Sequence, residues 1–568
     1  MNKLKTFSDI QYVRPEFSKV PAFYEELNAR FQNAKTFEEI KQCLMEEEAF
    51  SSHLNTMATV AHIRHTIDTS DKFYDEEQEY INKTYPEVMP YIQAFSLLLL
   101  SSPFKTDIDR EYGEQFLKSL KLGVDSFSAK NIPLMQEESE LVNRYQKLTA
   151  SCKIPFDGGE YNLYGIMKYF SEPDREVRKE AAKAYAEFFE KNDEELGEIF
   201  DRLVKIRHQM GVNMGFDNFI PLGYMHQGRL DYGAKEVASF RQQVLEELVP
   251  FCDKLYKAQA KRIGVDKIRF YDEQLIFLGG NAVPIGDRAY LVEKAREMYH
   301  DLSKETGDFI DFMIEHELMD LDNKPNKAAT GYMTTLSDYK APFVYSCFNG
   351  TTGDVDVLTH EMGHAFAGYM AMKTQPLQAL WGEPTDIAEI HSMSMEQFAY
   401  PYAELFFGEK AEQYRFQHLQ EALTFVPFGV AVDEFQHIVY ENPDMTPEER
   451  TAAWRELEKK YMPWRDYGED NAFFNRGGWW YHKLHIYHYP FYYINYTLTS
   501  MGAMEFKKKL AEDKDACWKD YMTICKLGGS LGYLETLRAA NLAVPFEKGG
   551  VKRAVSYAID ILNKQIEE

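Results

Sequence analysis

Cysteine is scarce and scattered in this chain. Six residues, Cys43, Cys152, Cys252, Cys347, Cys517 and Cys525, are spread over 568, with no Cys-x-x-Cys pair. This excludes a disulfide framework and a thiolate zinc site and fits a reducing compartment. Long apolar runs are missing too: AFSLLLLSSPF (94–104) falls far short of the roughly 20 residues that span a bilayer. The N-terminal MNKLKTFSDIQYVRPEF lacks the apolar core of a signal peptide. Positive charge is in deficit, 64 Lys plus Arg against 90 Asp plus Glu, and the net −26 repels phosphate backbones and anionic lipid surfaces. Internal repeats, low-complexity tracts and Gly/Ser linkers are also lacking. The expectation is a soluble cytoplasmic protein with neither nucleic acid nor membrane as partner.

What is present is an ordinary globular composition, 45% hydrophobic, in a chain long enough for two or more lobes, because single cores stop growing near roughly 250–300 residues. Helical periodicity dominates. YEELNARFQNAKTFEEIKQCLMEEEAF (24–50) and SEPDREVRKEAAKAYAEFF (171–189) carry apolar residues three and four apart amid charge pairs that read as solvated faces. Ser171 and Pro173 resemble an N-cap and an early helical proline. Strand signals are confined to FDGGEYNLYGIMKYF (156–170) and to Phe343–Phe348, closed by Asn349-Gly350 and Gly353. A mainly α protein with one or two small sheets is predicted. The Gly/Pro-punctuated MGVNMGFDNFIPLGYM (210–225) suggests a boundary near residue 200, separating an N-terminal helical region (1–200) from the remainder (201–568).

In LTHEMGHAF (358–366), two histidines stand four apart with a glutamate after the first. Thr352 or Asp354 can cap a helix running through this stretch. On such a helix His360 and His364 lie one turn apart and point the same way, as two imidazoles must to share a zinc at about 2.0–2.1 Å. Glu361, rotated about 100°, can face a zinc-bound water without being a ligand. A catalytic site needs a third protein ligand and one open position. The metzincin pattern would place Gly at 367 and His at 370, but those are Ala367 and Met370, so that class is excluded. A carboxylate from a following helix is the remaining common option. EPTDIAEIHSMSMEQF (383–398) supplies candidates: Thr385 can cap a helix whose Asp386, Glu389 and Glu396 share one face and which also carries Ile387, Met393 and Phe398. Two imidazoles and a carboxylate suit zinc.

HEMGHAF, followed 29 residues after its first histidine by the Glu of DIAEIHSMSMEQF, resembles the oligoendopeptidase F and thimet oligopeptidase family of zinc metallopeptidases, and FVYSCFNGTTGDVDVLTHEMGHAF (343–366) resembles its oligoendopeptidase F branch. The matching motifs run from about residue 340 to 535. The resemblance implies His360, His364 and Glu389 as ligands of one Zn2+ per chain, Glu361 as general base, and Asp386 as a carboxylate holding a ligand histidine, a partner such an imidazole needs. It also implies two helical lobes flanking a deep substrate channel, with a small sheet beside the zinc helix and residues 201–568 as the peptidase domain. The substrates would be short oligopeptides, cut at internal bonds.

GGWWYHKLHIYHYPFYYINYTLTS (477–500) packs three histidines and eight Tyr or Trp residues into its first 20 positions. Most read as core or groove. Peptide hydrolysis, however, builds charge on the scissile carbonyl oxygen, and phenol or imidazole donors placed there lower the barrier. Pro490 can open a helix that sets Tyr493 and Tyr496 on one face, with Tyr492 alongside. The resemblance implies His485, Tyr493 and Tyr496 in this role; the His-to-Tyr spacing departs from the thimet type by one residue, so His482, His488 and Tyr492 stay open.

Other motifs carry less. His62 and His65 lack a base or third ligand and read as structural. EHELMD (315–320) reads as a solvated acidic helix, with Asp320 where a second histidine would stand. GGSLG (528–532) has the G-x-S-x-G form, yet no histidine follows Ser530, and DYMTICKLGGS reads as a helix ending at glycine. FLGGNAVPIGD (277–287) lacks the Lys-Ser/Thr of a P-loop. The predicted function is a zinc-dependent endopeptidase of oligopeptides; the alternative is a non-catalytic helical peptide-binding protein retaining a zinc site. Residues 341–349 present either an exposed strand edge to substrate or a buried central strand.

Overall fold

The structure is a computed structural model that describes residues 4–328, 331–469 and 471–567. It is mainly α, 73% helical, with two small sheets. Two compact units form, each built from separated stretches of chain: residues 1–124, 283–411 and 506–542 in the first, and 125–282, 412–505 and 543–568 in the second. Residue 200 lies inside the helix Asp193–Asn213. Among the described residues no helix is long and apolar enough to cross a membrane.

In the first unit, Thr36 and Glu39 form a capping box that starts the helix Phe37–Ile67, and Tyr24, Leu27, Phe31, Ile40, Phe95 and Leu99 are among the residues of its apolar core. The unit also holds a sheet of three strands in the order β3-β5-β4: β3 (Met319–Asp320), β4 (Tyr332–Leu336) and β5 (Ala341–Tyr345). All five residues of β5 are buried, as expected of a central strand with a near-continuous apolar run. β3 pairs with it in parallel (Met319↔Val344), β4 antiparallel (Thr334↔Phe343). Residues 341–345 are therefore the middle of the sheet and not an edge. EHELMD is not a solvated helix: the helix ends at Glu315, Glu317 turns at φ 53°, and Met319–Asp320 is β3.

The motif helix, Thr352–Thr374, packs on β4 and β5 and is buried on several faces by Val355, Leu358, Met362, Ala365, Phe366 and Met370 among others. Its N-cap position is Thr351, and neither Thr352 nor Asp354 caps it. Asp354 lies inside the first turn, where its carboxylate accepts from the N–H groups of Asn349 (2.9 Å) and Gly350 (2.8 Å) and so fixes the turn leading into the helix. The carboxylate helix, Thr385–Ala399, begins with Thr385 after Pro384, which cannot cap through a side chain. Tyr521 anchors it by donating to the His391 carbonyl at 3.0 Å.

The motif and carboxylate helices meet at Gly363. A Cβ there would stand 2.7 Å from Ser392 Cα and 3.1 Å from the His391 carbonyl, backbone that cannot swing aside. Glycine is thus required by close helix approach, in the turn between the two motif histidines.

In the second unit, β1 (Ile154–Phe156) and β2 (Gly159–Tyr161) make a hairpin turned at Asp157-Gly158, both at positive φ, the preferred two-residue turn. Asp174, not Ser171, caps the helix Arg175–Lys191.

Gly363→Ala is expected to force the two helices apart at a cost of about 1–3 kcal/mol, typical of overpacking. A lowered thermal midpoint together with weakened zinc retention checks this.

Candidate metal centre

Three side chains converge where the two helices cross. His360 Nε2 lies 3.1 Å and His364 Nε2 3.4 Å from the same atom, Glu389 Oε2. For a tetrahedral ion with bonds of about 2.0–2.1 Å, ligand atoms stand roughly 3.3–3.4 Å apart, so the donor set has the dimensions zinc needs. Among the described residues it is the one such His/Cys/Asp/Glu group found. The imidazoles keep 25% and 17% of their surface exposed, which suits an open catalytic site better than a closed structural one. Glu361, half-buried, follows His360 on the same helix.

A carboxylate that holds His360 is Glu396. Its Oε1 is 2.5 Å from His360 Nδ1, so Nδ1–H donates to it and Nε2 is the ring nitrogen turned toward Glu389. Asp386, which the sequence suggested for this role, is buried near the start of the same helix, one turn before Glu389. Ser392 Oγ donates to Glu389 Oε2 at 3.2 Å. Burial opposes charge here, but the carboxylates of Glu389 and Glu396 push the His360 imidazole well above its usual range. Burial likewise opposes the Glu389 anion, and the two imidazoles nevertheless hold its carboxyl well below normal.

Sequence reasoning quoted Glu383 and His391 without giving them a part. His391, fully buried, lies 3.0 Å through Nε2 from Glu383 Oε1, and its Nδ1 is 3.7 Å from the Cys525 thiol. Burial favours the neutral acid, yet His391, and more weakly His364, keep the Glu383 carboxyl below its ordinary value. The pair sets a second buried carboxylate against a histidine of the carboxylate helix, which only packing reveals.

In the second unit, His485 gathers the tyrosines: its ring is 5.0 Å from Tyr493, 5.9 Å from Tyr492 and 6.0 Å from Tyr496. His482 instead packs tilted against Trp479 at 4.0 Å, and His488 stacks on Tyr489 at 3.8 Å. Burial, then the charges of Lys483 and His488, lower His485 to about 4, so it is neutral at pH 7. Among the described residues nothing hydrogen-bonds its buried Nδ1. Pro490 does not open the helix: it starts at Ile494, with Tyr493 just before it and Tyr496 in its first turn.

The set-aside motifs behave structurally. His62 Nδ1 meets Gln78 at 3.3 Å, and His65 lies 3.9 Å from Asp75. Gly528 (φ 49°) ends the helix Lys514–Leu527, and Ser530 Oγ donates to the Leu527 carbonyl at 2.6 Å.

Comparison with known proteins is consistent with this centre. The family model for the peptidase M3 N-terminal domain matches residues 7–127, and that for peptidase family M3 matches residues 281–555. Oligopeptidase PepF of Bacillus subtilis (strain 168) is 21% identical over 555 residues, covering 90% of this chain and 78% of that protein. An oligoendopeptidase F homolog of Borreliella burgdorferi is 20% identical over 475 residues, covering 80% and 78%. The solved structure of Pz peptidase A with inhibitor 2 is 44% identical, with a TM-score of 0.91 over 98% of this chain and 99% of that one.

Glu396→Ala is expected to weaken zinc binding about 10–100-fold, the usual cost of losing a partner that orients a ligand. Glu396→Gln, which keeps an acceptor for Nδ1–H, should lose less; competition against a chelator of known affinity measures both.

Proposed function

The chain belongs to peptidase family M3, in its oligoendopeptidase F branch, and from that premise we propose that it is a zinc-dependent endopeptidase cutting internal bonds of short oligopeptides. The observation that carries this reading is the single Glu389 oxygen facing both motif imidazoles at zinc-site distances. We assign one Zn2+ per chain to His360, His364 and Glu389. When bound, zinc supplies Lewis acidity, making water acidic near neutral pH and polarising a carbonyl oxygen.

The chain's own groups do the rest. Glu361 accepts the proton of the attacking water and later returns it to the leaving amine nitrogen, so one carboxylate serves as base and then acid. Glu396 would hold His360 with Nδ1 protonated, leaving Nε2 to the zinc, and we assign Asp386 as a further carboxylate that holds a ligand histidine. We assign His485, Tyr493 and Tyr496 to donate to the developing oxyanion. Support comes from their shared cluster and from the neutral His485 with an unspent ring nitrogen. A neutral donor can stay in place through the reaction without adding a buried charge. All these residues fall within 201–568, which we take as the peptidase region, with 1–200 as an N-terminal helical region.

An extended substrate would pair with a strand edge. Val344 N–H donates to Leu318 at the β3 side, so the 333↔344 pair is not hydrogen-bonded, and the backbone groups of Met333 and Thr335 turn away from β5. β4 is the outer strand and lies beside the motif helix, where a Cβ on Gly368 would be 3.8 Å from Met333 Cε. Main-chain pairing of this kind gives affinity with limited sequence preference. The restriction to short, unfolded peptides is carried over from the family's deep channel, and the net charge of −26 would favour cationic ones at low salt. Six free thiols support a reducing, cytoplasmic setting.

The test is hydrolysis of an internally quenched peptide of about ten residues. Wild type should turn over, chelation should abolish the activity and zinc restore it. Glu361→Gln should keep about one zinc per chain and lose about a thousandfold or more in kcat. Wild type that binds zinc but cuts nothing across a varied peptide set would instead be a peptide-binding protein.

A further inference from the structure

Phe491 is a buried non-glycine residue held in the left-handed region at φ 63°. Such a conformation costs a side-chain-bearing residue free energy and persists only where its surroundings over-determine it. Here every group of the residue is held. Its N–H donates to Gln436 Oε1 (2.8 Å), and its carbonyl accepts from Arg229 Nη2 (2.6 Å). Its ring lies over Gly223, where a Cβ would come within 2.6 Å of Phe491 Cδ2, and packs against His437 (5.0 Å) and Tyr224 (5.4 Å).

The same Arg229 Nη2 donates to Asn495 Oδ1 at 2.8 Å. Arg229 is itself buried and stacked on Tyr224, with its guanidinium carbon 4.5 Å from the ring centre. Gln227 backs it, donating to the Pro490 carbonyl (3.1 Å) and accepting from Asn495 Nδ2 (3.4 Å). One guanidinium nitrogen therefore ties residue 491 to residue 495. Between them lie Tyr492 and Tyr493, and Tyr496 follows directly. A rotation about the Phe491 backbone would swing all three phenols, and a displacement near 1 Å at reacting groups can cost on the order of a hundredfold in rate.

The geometry points to Arg229 as a positioning residue: by holding Phe491 and Asn495 together it aims the tyrosines at the developing oxyanion, an inference that rests on the role given to Tyr493 and Tyr496 above. A staple that served folding alone would have no bearing on how those hydroxyls contribute to kcat. A donor that acts only in the transition state is read in kcat rather than in KM.

The experiment measures kcat, KM and zinc content for Arg229→Met, alone and combined with Tyr496→Phe or Tyr493→Phe, with amide hydrogen exchange of residues 489–496. Arg229→Met should lower kcat about 10–100-fold, leave KM within about twofold and zinc at about one per chain, and speed exchange in that segment only. In its background the tyrosine substitutions should cost far less than in wild type. Arg229→Lys, whose ammonium can still reach one acceptor, should recover part of the loss, and it carries the same cycle if the methionine variant does not fold. Losses that multiply independently, a change confined to KM, or faster exchange across the whole second unit would overturn the inference. If the tyrosine substitutions leave wild-type kcat intact, the oxyanion role fails and takes the inference with it. If they lower kcat while Arg229→Met does not, the inference alone falls.

Discussion

The centre depends on a backbone contact. Gly363 lets the motif helix settle against the chain around Ser392, and only at that separation can Glu389 on one helix present an oxygen to two imidazoles on the other. Helix rotation places His360 and His364 on one face, but their distance from Glu389 is set by packing between helices. The turn bound by Asp354, the buried strand β5 and the Tyr521 bond to the His391 carbonyl each hold one of the two helices in register.

The electrostatics follow from that contact. Crossing the helices brings Glu383, Glu389 and Glu396 together with His360, His364 and His391 in partial or full burial, where isolated charges are expensive. Pairing offsets the expense, and each carboxylate meets an imidazole at 2.5–3.4 Å. A cation placed among these groups would meet side chains already oriented, and its binding would release the proton that the carboxylates hold on His360. The second unit follows the opposite design: burial and the neighbouring positive charges keep His485 neutral and leave an aromatic cluster rich in hydrogen-bond donors.

The parts of the fold legible in the sequence were those governed by short periods. Helical content, the helix carrying HEMGH and the end of the helix before Gly528 follow from three- and four-residue spacing and from turn chemistry, whereas of the strand signal over 156–170 only Phe156 and Gly159–Tyr161 are strand and Leu163–Ser171 is helical. Expectations failed where several residues compete for one local role. Asp174 won the cap expected of Ser171, Asp354 turned back to the preceding loop, and the helix after Pro490 began four residues later because Phe491 is held out of helical geometry. Asp386, Glu389 and Glu396 occupy one helical face, so spacing alone could not say which of them reaches which histidine nitrogen.

By itself the sequence determined the chemistry on offer: two imidazoles one turn apart, a glutamate beside them, a carboxylate-bearing helix to follow, and a family likeness that named Glu389. Those are properties of local spacing and residue type, which survive without knowledge of neighbours. The tertiary structure alone decided that Glu396 steadies His360, that Glu383 and His391 are paired behind the site, that β5 is central and β4 outer, and that Arg229 grips the turn before the tyrosines. Each joins residues dozens to hundreds of positions apart or selects among equivalent ones on a single face, and such choices are made by packing and by the need to pair buried charge, neither of which has a local signature in the chain.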